Sequence, residues 1–145
     1  MAKYGKCKFD GLKDLQKQIE KFRDEELEQF IEDSVKILSQ RLLKMVVKRT
    51  PVDSGNLRRN WSVYKIQKQG SDYTIEIINS AEYASYVEYG HRQEVGRYVP
   101  AIGKKLKKGW VNGHFMLTVS EKEIKNVAPS VVEKMLQKRL GEIFK

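Results

Sequence analysis

The run R-T-P-V-D-S-G-N-L-R-R-N-W-S-V, Arg49 to Val63, decides how this chain folds, because a helical pattern stops there and an alternating one begins. Pro51 biases Thr50 away from the α region, which predicts that the preceding helix ends near Lys48. Asp53 and Ser54 are placed to hydrogen-bond neighbouring amides in a tight turn, and Gly55 tolerates whatever dihedral that turn requires. A third stop, Gly90, closes the next segment. Pro51, Asp53, Gly55 and Gly90 are therefore read as structural corners, since nothing around them performs a reaction.

Upstream of the corner, Asp10 is a candidate N-cap, worth ~1 kcal/mol if it holds an amide of the first turn. Leu12, Leu15, Ile19 and Phe22 then form an apolar stripe at helical spacing. The stripe fails at Glu26 and resumes through Leu27, Ile31, Val35, Leu38, Leu42 and Met45 or Val46. An interruption near Glu25–Glu26 is expected. No strict heptad survives the break, so the stripe reads as core and not as a coiled-coil seam.

Downstream, Trp61 to Lys68 is rich in aromatic and β-branched residues, with Trp61 and Val63 on one face and Tyr64 and Ile66 on the other. Gln69-Gly70-Ser71-Asp72 is the turn, and Tyr73 to Ile78 returns antiparallel. Asn79 or Ser80 is expected to cap a short helix ending at Tyr89, with Gly90 at C′. Tyr83, Tyr86 and Val87 share a face of that helix and are expected to pack on a sheet. From His114 the pattern is helical again, and Pro129 suits the first turn of a further helix carrying Val131, Val132, Met135, Leu136, Leu140, Ile143 and Phe144.

Between these elements lies a basic arm. Strand-like residues Tyr98–Val99 and Gly109–Val111 flank P-A-I-G-K-K-L-K-K, so a long hairpin loop, exposed and poorly ordered in the isolated subunit, is expected. Residues 91–113 hold six Lys or Arg against one Glu, +5 of the chain's +9, in under a sixth of its length. Ile102 and Leu106 interleave with Lys104, Lys105, Lys107 and Lys108. These six residues are the candidate partner-binding set, facing an acidic protein surface or nucleic acid. Lysine in place of arginine favours a diffuse field over base readout.

At 145 residues the chain has the length of one domain, here divided as 1–48, 49–113 and 114–145. Its 40% apolar and 32% charged shares suit extensive helix surface or a core completed against neighbours. A single cysteine, Cys7, excludes an internal disulfide and fits a reducing compartment. With His91 and His114 it is too little for zinc, and no cofactor motif is present. The basic start lacks an apolar h-region, and the longest apolar run, Met45–Val47, is far below membrane-spanning length. A soluble protein of the cytoplasm is expected. Glu88 three residues before His91 is the one pairing with a catalytic look, and it has no nucleophile or metal to serve.

Two stretches carry a resemblance. T-P-V-D-S-G-N-L-R-R-N-W matches at Thr50, Pro51, Val52, Asp53, Ser54, Gly55, Leu57, Arg58 and Trp61. N-S-A-E-Y-A-S-Y-V-E-Y-G matches at Asn79, Tyr83, Ala84, Tyr86, Val87, Glu88 and Gly90. Together they resemble the small tail-completion or neck proteins of long-tailed bacteriophages, the gene-product-ten-like tail components. F-D-G-L-K-D-L (Phe9–Leu15) and G-W-V-N-G-H-F-M-L (Gly109–Leu117) extend the likeness, although that family more often has Pro at Asn112 and Arg at His114. The resemblance implies a structural virion protein, not an enzyme. It would complete the tail end or join tail to head by packing against like subunits and tail or connector proteins. It would work in the virion and, during assembly, in the host cytoplasm. The alternative is a small basic nucleic-acid-binding protein, whose binding would fall steeply with salt.

The order of periods, helical then alternating then helical, predicts an α+β fold. A long N-terminal helical region, an antiparallel sheet of three or more strands and a C-terminal helix packed on that sheet are expected.

Overall fold

The computed structural model describes residues 12–143, with side chains from residue 16 onward except 18, 19, 21, 22 and 143. Asp10, Cys7 and the side chains of Leu12, Leu15, Ile19 and Phe22 lie outside the described residues. The chain forms two compact units, Met1–Ser34 and Val35–Lys145.

Helix α1 spans Leu12–Arg49 and contributes to both units. It is continuous, so the expected interruption at Glu25–Glu26 does not occur. Glutamate is a good helix former, and a shift of the apolar stripe changes which face is buried without breaking the backbone ladder. In the first unit, Gln16 bonds Glu20 at 3.0 Å and Gln29 bonds Asp33 at 2.9 Å across single turns.

The second unit begins with the last turns of α1, where Leu42 and Val46 are buried. The corner follows. Gly55 sits at φ 78° and ψ 0°, the left-handed region, and leads directly into a one-turn helix α2, Asn56–Arg59. The expected tight turn therefore contains a helix turn. Ser54 Oγ accepts the Asn56 amide at 3.3 Å, while Asp53 is exposed.

Strands β1 (Trp61–Gln69) and β2 (Asp72–Asn79) form an antiparallel hairpin closed by Gly70 and Ser71, with Gly70 at φ 62°. A bulge interrupts the register between Val63 and Lys65: Val63 pairs Ile77, Lys65 pairs Glu76 and Ile66 pairs Ile75. The extra residue is Tyr64. It moves Ile66 onto the face of Trp61 and Val63, correcting the expectation from strict alternation. On the face thus formed, Trp61 and Ile77 pack against the core, while Ile66 opposite Ile75 stays 38% exposed.

Asn79 Oδ1 accepts the Ala81 amide at 2.9 Å, turning the chain ahead of helix α3, Ala84–Tyr89. Neither Asn79 nor Ser80 caps α3, because the helix starts later, after Tyr83. Gly90, at φ 83°, ends α3 and opens β3 (Gly90–Arg92), which pairs antiparallel with β6 (Trp110–Asn112). Between them β4 (Tyr98–Val99) pairs β5 (Lys104–Lys105). Helix α4 runs Met116–Ile143 with Pro129 inside it. Proline costs one backbone bond there, and the helix continues through it instead of starting anew.

The fold is α+β, with six antiparallel strands among the described residues. They divide into three two-stranded ladders, β1–β2, β3–β6 and β4–β5, in place of one sheet of three or more strands. The core gathers Leu42, Val46, Leu57, Met116 and Ile124, with Trp61, Ile77, Val87 and Leu117 packed against them. Each such buried aliphatic contributes roughly 1.5–3 kcal/mol. Helix α4 enters this core through Met116, Leu117 and Ile124, beside Trp61 and Ile77 of the β1–β2 ladder and Leu42 and Val46 of α1. Arg49 Nη1 reaches Ser120 Oγ at 3.2 Å and Arg49 Nη2 pairs with Glu123, fastening the end of α1 to α4.

Candidate assembly interface

The arm is a projection held at its root. Val87 and Glu88 carbonyls accept the amides of His114 and Phe115 at 2.8 and 3.0 Å. The Glu88 side chain, buried to 4% exposure, accepts from the amides of Leu117 and Thr118 at 3.0 and 2.9 Å. Thr118 Oγ1 also donates to it at 2.7 Å. A carboxylate from α3 thus satisfies amides that the first turn of α4 leaves open, where the helix dipole favours negative charge.

That contact needs the backbones to touch. A Cβ on Gly113 would lie 2.2 Å from the Glu88 carbonyl oxygen, and one on Gly90 would lie 2.3 Å from that of Val111. Only glycine fits either place. The second resemblance block and the G-W-V-N-G stretch therefore interlock at one crossing.

Beyond the root, the two sides of the arm run as one ribbon. Gln93 N donates to Gly109 O at 2.9 Å, Gly96 N to Leu106 O at 2.8 Å, and Leu106 N to Arg97 O at 2.9 Å. The ribbon closes over Pro100–Gly103, where Gly103 N donates to Pro100 O at 3.2 Å. This ladder replaces the expectation of a loop lacking regular structure. Cross-strand pairing puts Val99 with Lys104 on one face and Tyr98 with Lys105 on the other. Val99 and Leu106 are half-buried, whereas Lys104, Lys105, Lys107 and Lys108 are exposed and Ile102 is 59% exposed. The six candidate residues are thus brought together on one element.

The corner residues form a second cluster. Thr50 Oγ1 donates to Val46 O at 2.7 Å and accepts the Trp61 indole Nε1 at 2.8 Å, while Arg58 Nη2 donates to Thr50 O at 3.0 Å. Asn79 Nδ2 donates to Leu57 O at 2.8 Å, stitching α2 to the end of β2. Pro51, Asp53 and Gly55 line a pocket of 330 Å³ with Tyr83, which immediately precedes α3, and Val87 of α3.

Two expectations change. Tyr83 and Tyr86 point outward, 43% and 58% exposed, instead of packing on a sheet, and Tyr89 is 61% exposed. Tyr86 meets the His91 ring edge-on at 5.7 Å. Glu88 does not orient His91, since its oxygens are taken by α4. The roles of Glu88, Gly113 and Thr50 were invisible to local pattern reading because each is defined by a partner distant in sequence.

Among the described residues, no helix is long and apolar enough to cross a membrane. The surface offers exposed aromatic rings and a lysine-studded ribbon, features that bind other macromolecules by area and charge. Comparison with curated proteins and with solved structures gives no match. Residues 13–90 match the family described as "Bacteriophage HK97-gp10, putative tail-component", a span that takes in α1, the corner, the β1–β2 hairpin and α3. By that match over more than half its length, with the Thr50–Trp61 and Asn79–Gly90 blocks inside it, the chain belongs to the HK97-gp10-like family of phage tail components.

Proposed function

We propose that this protein completes the tail end or joins tail to head, acting through protein–protein packing and not through catalysis. The observation that supports this best is the arm: a basic ribbon with exposed apolar residues, rooted at a glycine crossing that directly follows the residues matching the tail-component family. A rigid root with an exposed tip suits a contact made by docking. Its neighbours in the virion would be like subunits and connector or tail proteins, and its place before assembly the host cytoplasm.

Deleting the gene and imaging the lysate by negative stain tests the reading. Full heads beside unjoined or malformed tails are expected. Normal joined particles would sink it. The nucleic-acid reading is kept by the arm's charge alone, +5 over residues 91–113. It predicts DNA binding that weakens with a steep log–log salt slope, whereas apolar packing predicts little salt dependence.

A further inference from the structure

Asn112 is the only one of the chain's five asparagines that is followed by glycine. It is exposed and ends β6, where it pairs with Gly90. The carboxamides of Asn56, Asn60 and Asn79 are held, donating to Tyr83 Oη, Asn56 O and Leu57 O at 3.1, 2.8 and 2.8 Å. Asn126 lies within α4, ahead of the branched Val127. Among the described residues, the Asn112 carboxamide has no hydrogen-bond partner. Gly113 adds no side chain to shield its own backbone nitrogen.

That neighbour pair sets up a reaction within the chain. The Gly113 nitrogen attacks Asn112 Cγ; a bond forms between them and the Cγ–Nδ2 bond breaks. Nδ2 leaves as ammonia, taking the Gly113 amide proton, and a cyclic succinimide remains. Water then opens the ring. Opening at Cγ restores the normal chain, with aspartate at position 112. Opening at the main-chain carbonyl leaves isoaspartate, whose backbone runs through Cβ and Cγ and is longer by a methylene.

The closed root of the arm opposes this reaction. As a strand residue Asn112 is extended, which turns the Gly113 nitrogen away from Cγ, so the peptide plane between them must rotate first. The crossing leaves no room for that, since a Cβ on Gly113 would lie 2.2 Å from the Glu88 carbonyl oxygen and 2.6 Å from the Tyr89 carbonyl carbon. The β3–β6 ladder has just three pairs, however, and short ladders open locally at lower cost than the whole domain.

We propose that Asn112–Gly113 is a self-modification site that converts when the root of the arm opens, and that isoaspartate there keeps the root from closing again. The added methylene displaces Gly113 from the position where its backbone clears Glu88 and Gly90. An arm so released loses its fixed direction, and the loss of ammonia makes the step irreversible.

The full-length protein and a synthetic peptide of residues 109–115 are incubated side by side at mildly alkaline pH. Mass spectrometry of the tryptic peptide 109–122 then reads the conversion. The mass gain of an amide-to-acid change is expected in both, several-fold slower in the protein, with an isoaspartate form that elutes apart from the Asn112→Asp reference. Glu88→Gln weakens the carboxylate's hold on α4 and should raise the protein's rate towards that of the peptide. If that variant does not fold, urea below the unfolding transition of the wild type should do the same. A protein still unmodified when the peptide has fully converted, or a rate that loosening the root does not move, would overturn the proposal. Isoaspartate protein separated by ion exchange should melt below the Asn112→Asp variant, and equal melting would show that the root recloses. None of these readouts depends on what the arm docks on, so the assembly reading stands or falls separately.

Discussion

The Trp61 indole donates to the Thr50 hydroxyl at 2.8 Å, and the same hydroxyl donates to the Val46 carbonyl one turn back in α1. One side-chain oxygen, 1% exposed as part of its residue, therefore fixes both the exit of the long helix and the entry of the first strand. Thr50→Val keeps the shape and deletes the bridge. It is expected to lower stability by about 1–3 kcal/mol, because the indole N–H is left without an acceptor. Urea denaturation followed by tryptophan fluorescence measures this, and an unchanged midpoint would show the bridge to be idle.

Gly55 at φ 78° gives a second test at the same corner. A Cβ there would meet only the mobile end of Arg59, 2.7 Å away, so the cost of Gly55→Val is chiefly dihedral. A β-branched residue in the left-handed region should lose at least ~1–2 kcal/mol, and Gly55→Asn distinctly less. Equal melting temperatures for the two variants and wild type would remove the corner as a folding determinant.

Gly113 differs in kind. The atom its Cβ would strike at 2.2 Å is backbone, which cannot step aside as a side chain does. Gly113→Ala should therefore cost as much as severe overpacking, about 3 kcal/mol or more. Gly70→Ala is the control, with nothing within 4 Å and only its positive φ to oppose it. Differential scanning calorimetry should rank Gly113→Ala well below Gly70→Ala.

For the arm, Lys104, Lys105, Lys107 and Lys108 changed together to Ser should leave stability within about 0.5 kcal/mol per site, as for exposed positions generally. The circular dichroism spectrum should be unchanged while the number of joined, infectious particles falls. A wild-type particle yield would reduce the arm to a solvated ribbon.

How far the fold was legible follows from the range of each interaction. The corner is written in adjacent residues, since Pro51 and Gly55 act through their own dihedrals, and it was readable. The bulge at Tyr64 was not, because alternation presumes a period of two and a bulge breaks it. A polar interval in the α1 stripe and a proline in α4 both look like helix ends. They are not, because Glu25–Glu26 keep helix propensity and the turns around Pro129 tolerate one missing bond. The division into three ladders depends on which strands meet, as does the use of Glu88 by α4, and no local pattern holds that information.

The root of the arm has an evolutionary consequence. Because Gly90 and Gly113 cross and the Val87 and Glu88 carbonyls hold His114 and Phe115, the two ends of the ribbon are fixed to the body of the domain. Lengthening a loop costs little once its ends are fixed, about 0.6 kcal/mol per doubling. The ribbon is thus an exchangeable cassette: its length and tip can change while the scaffold beneath it is left untouched.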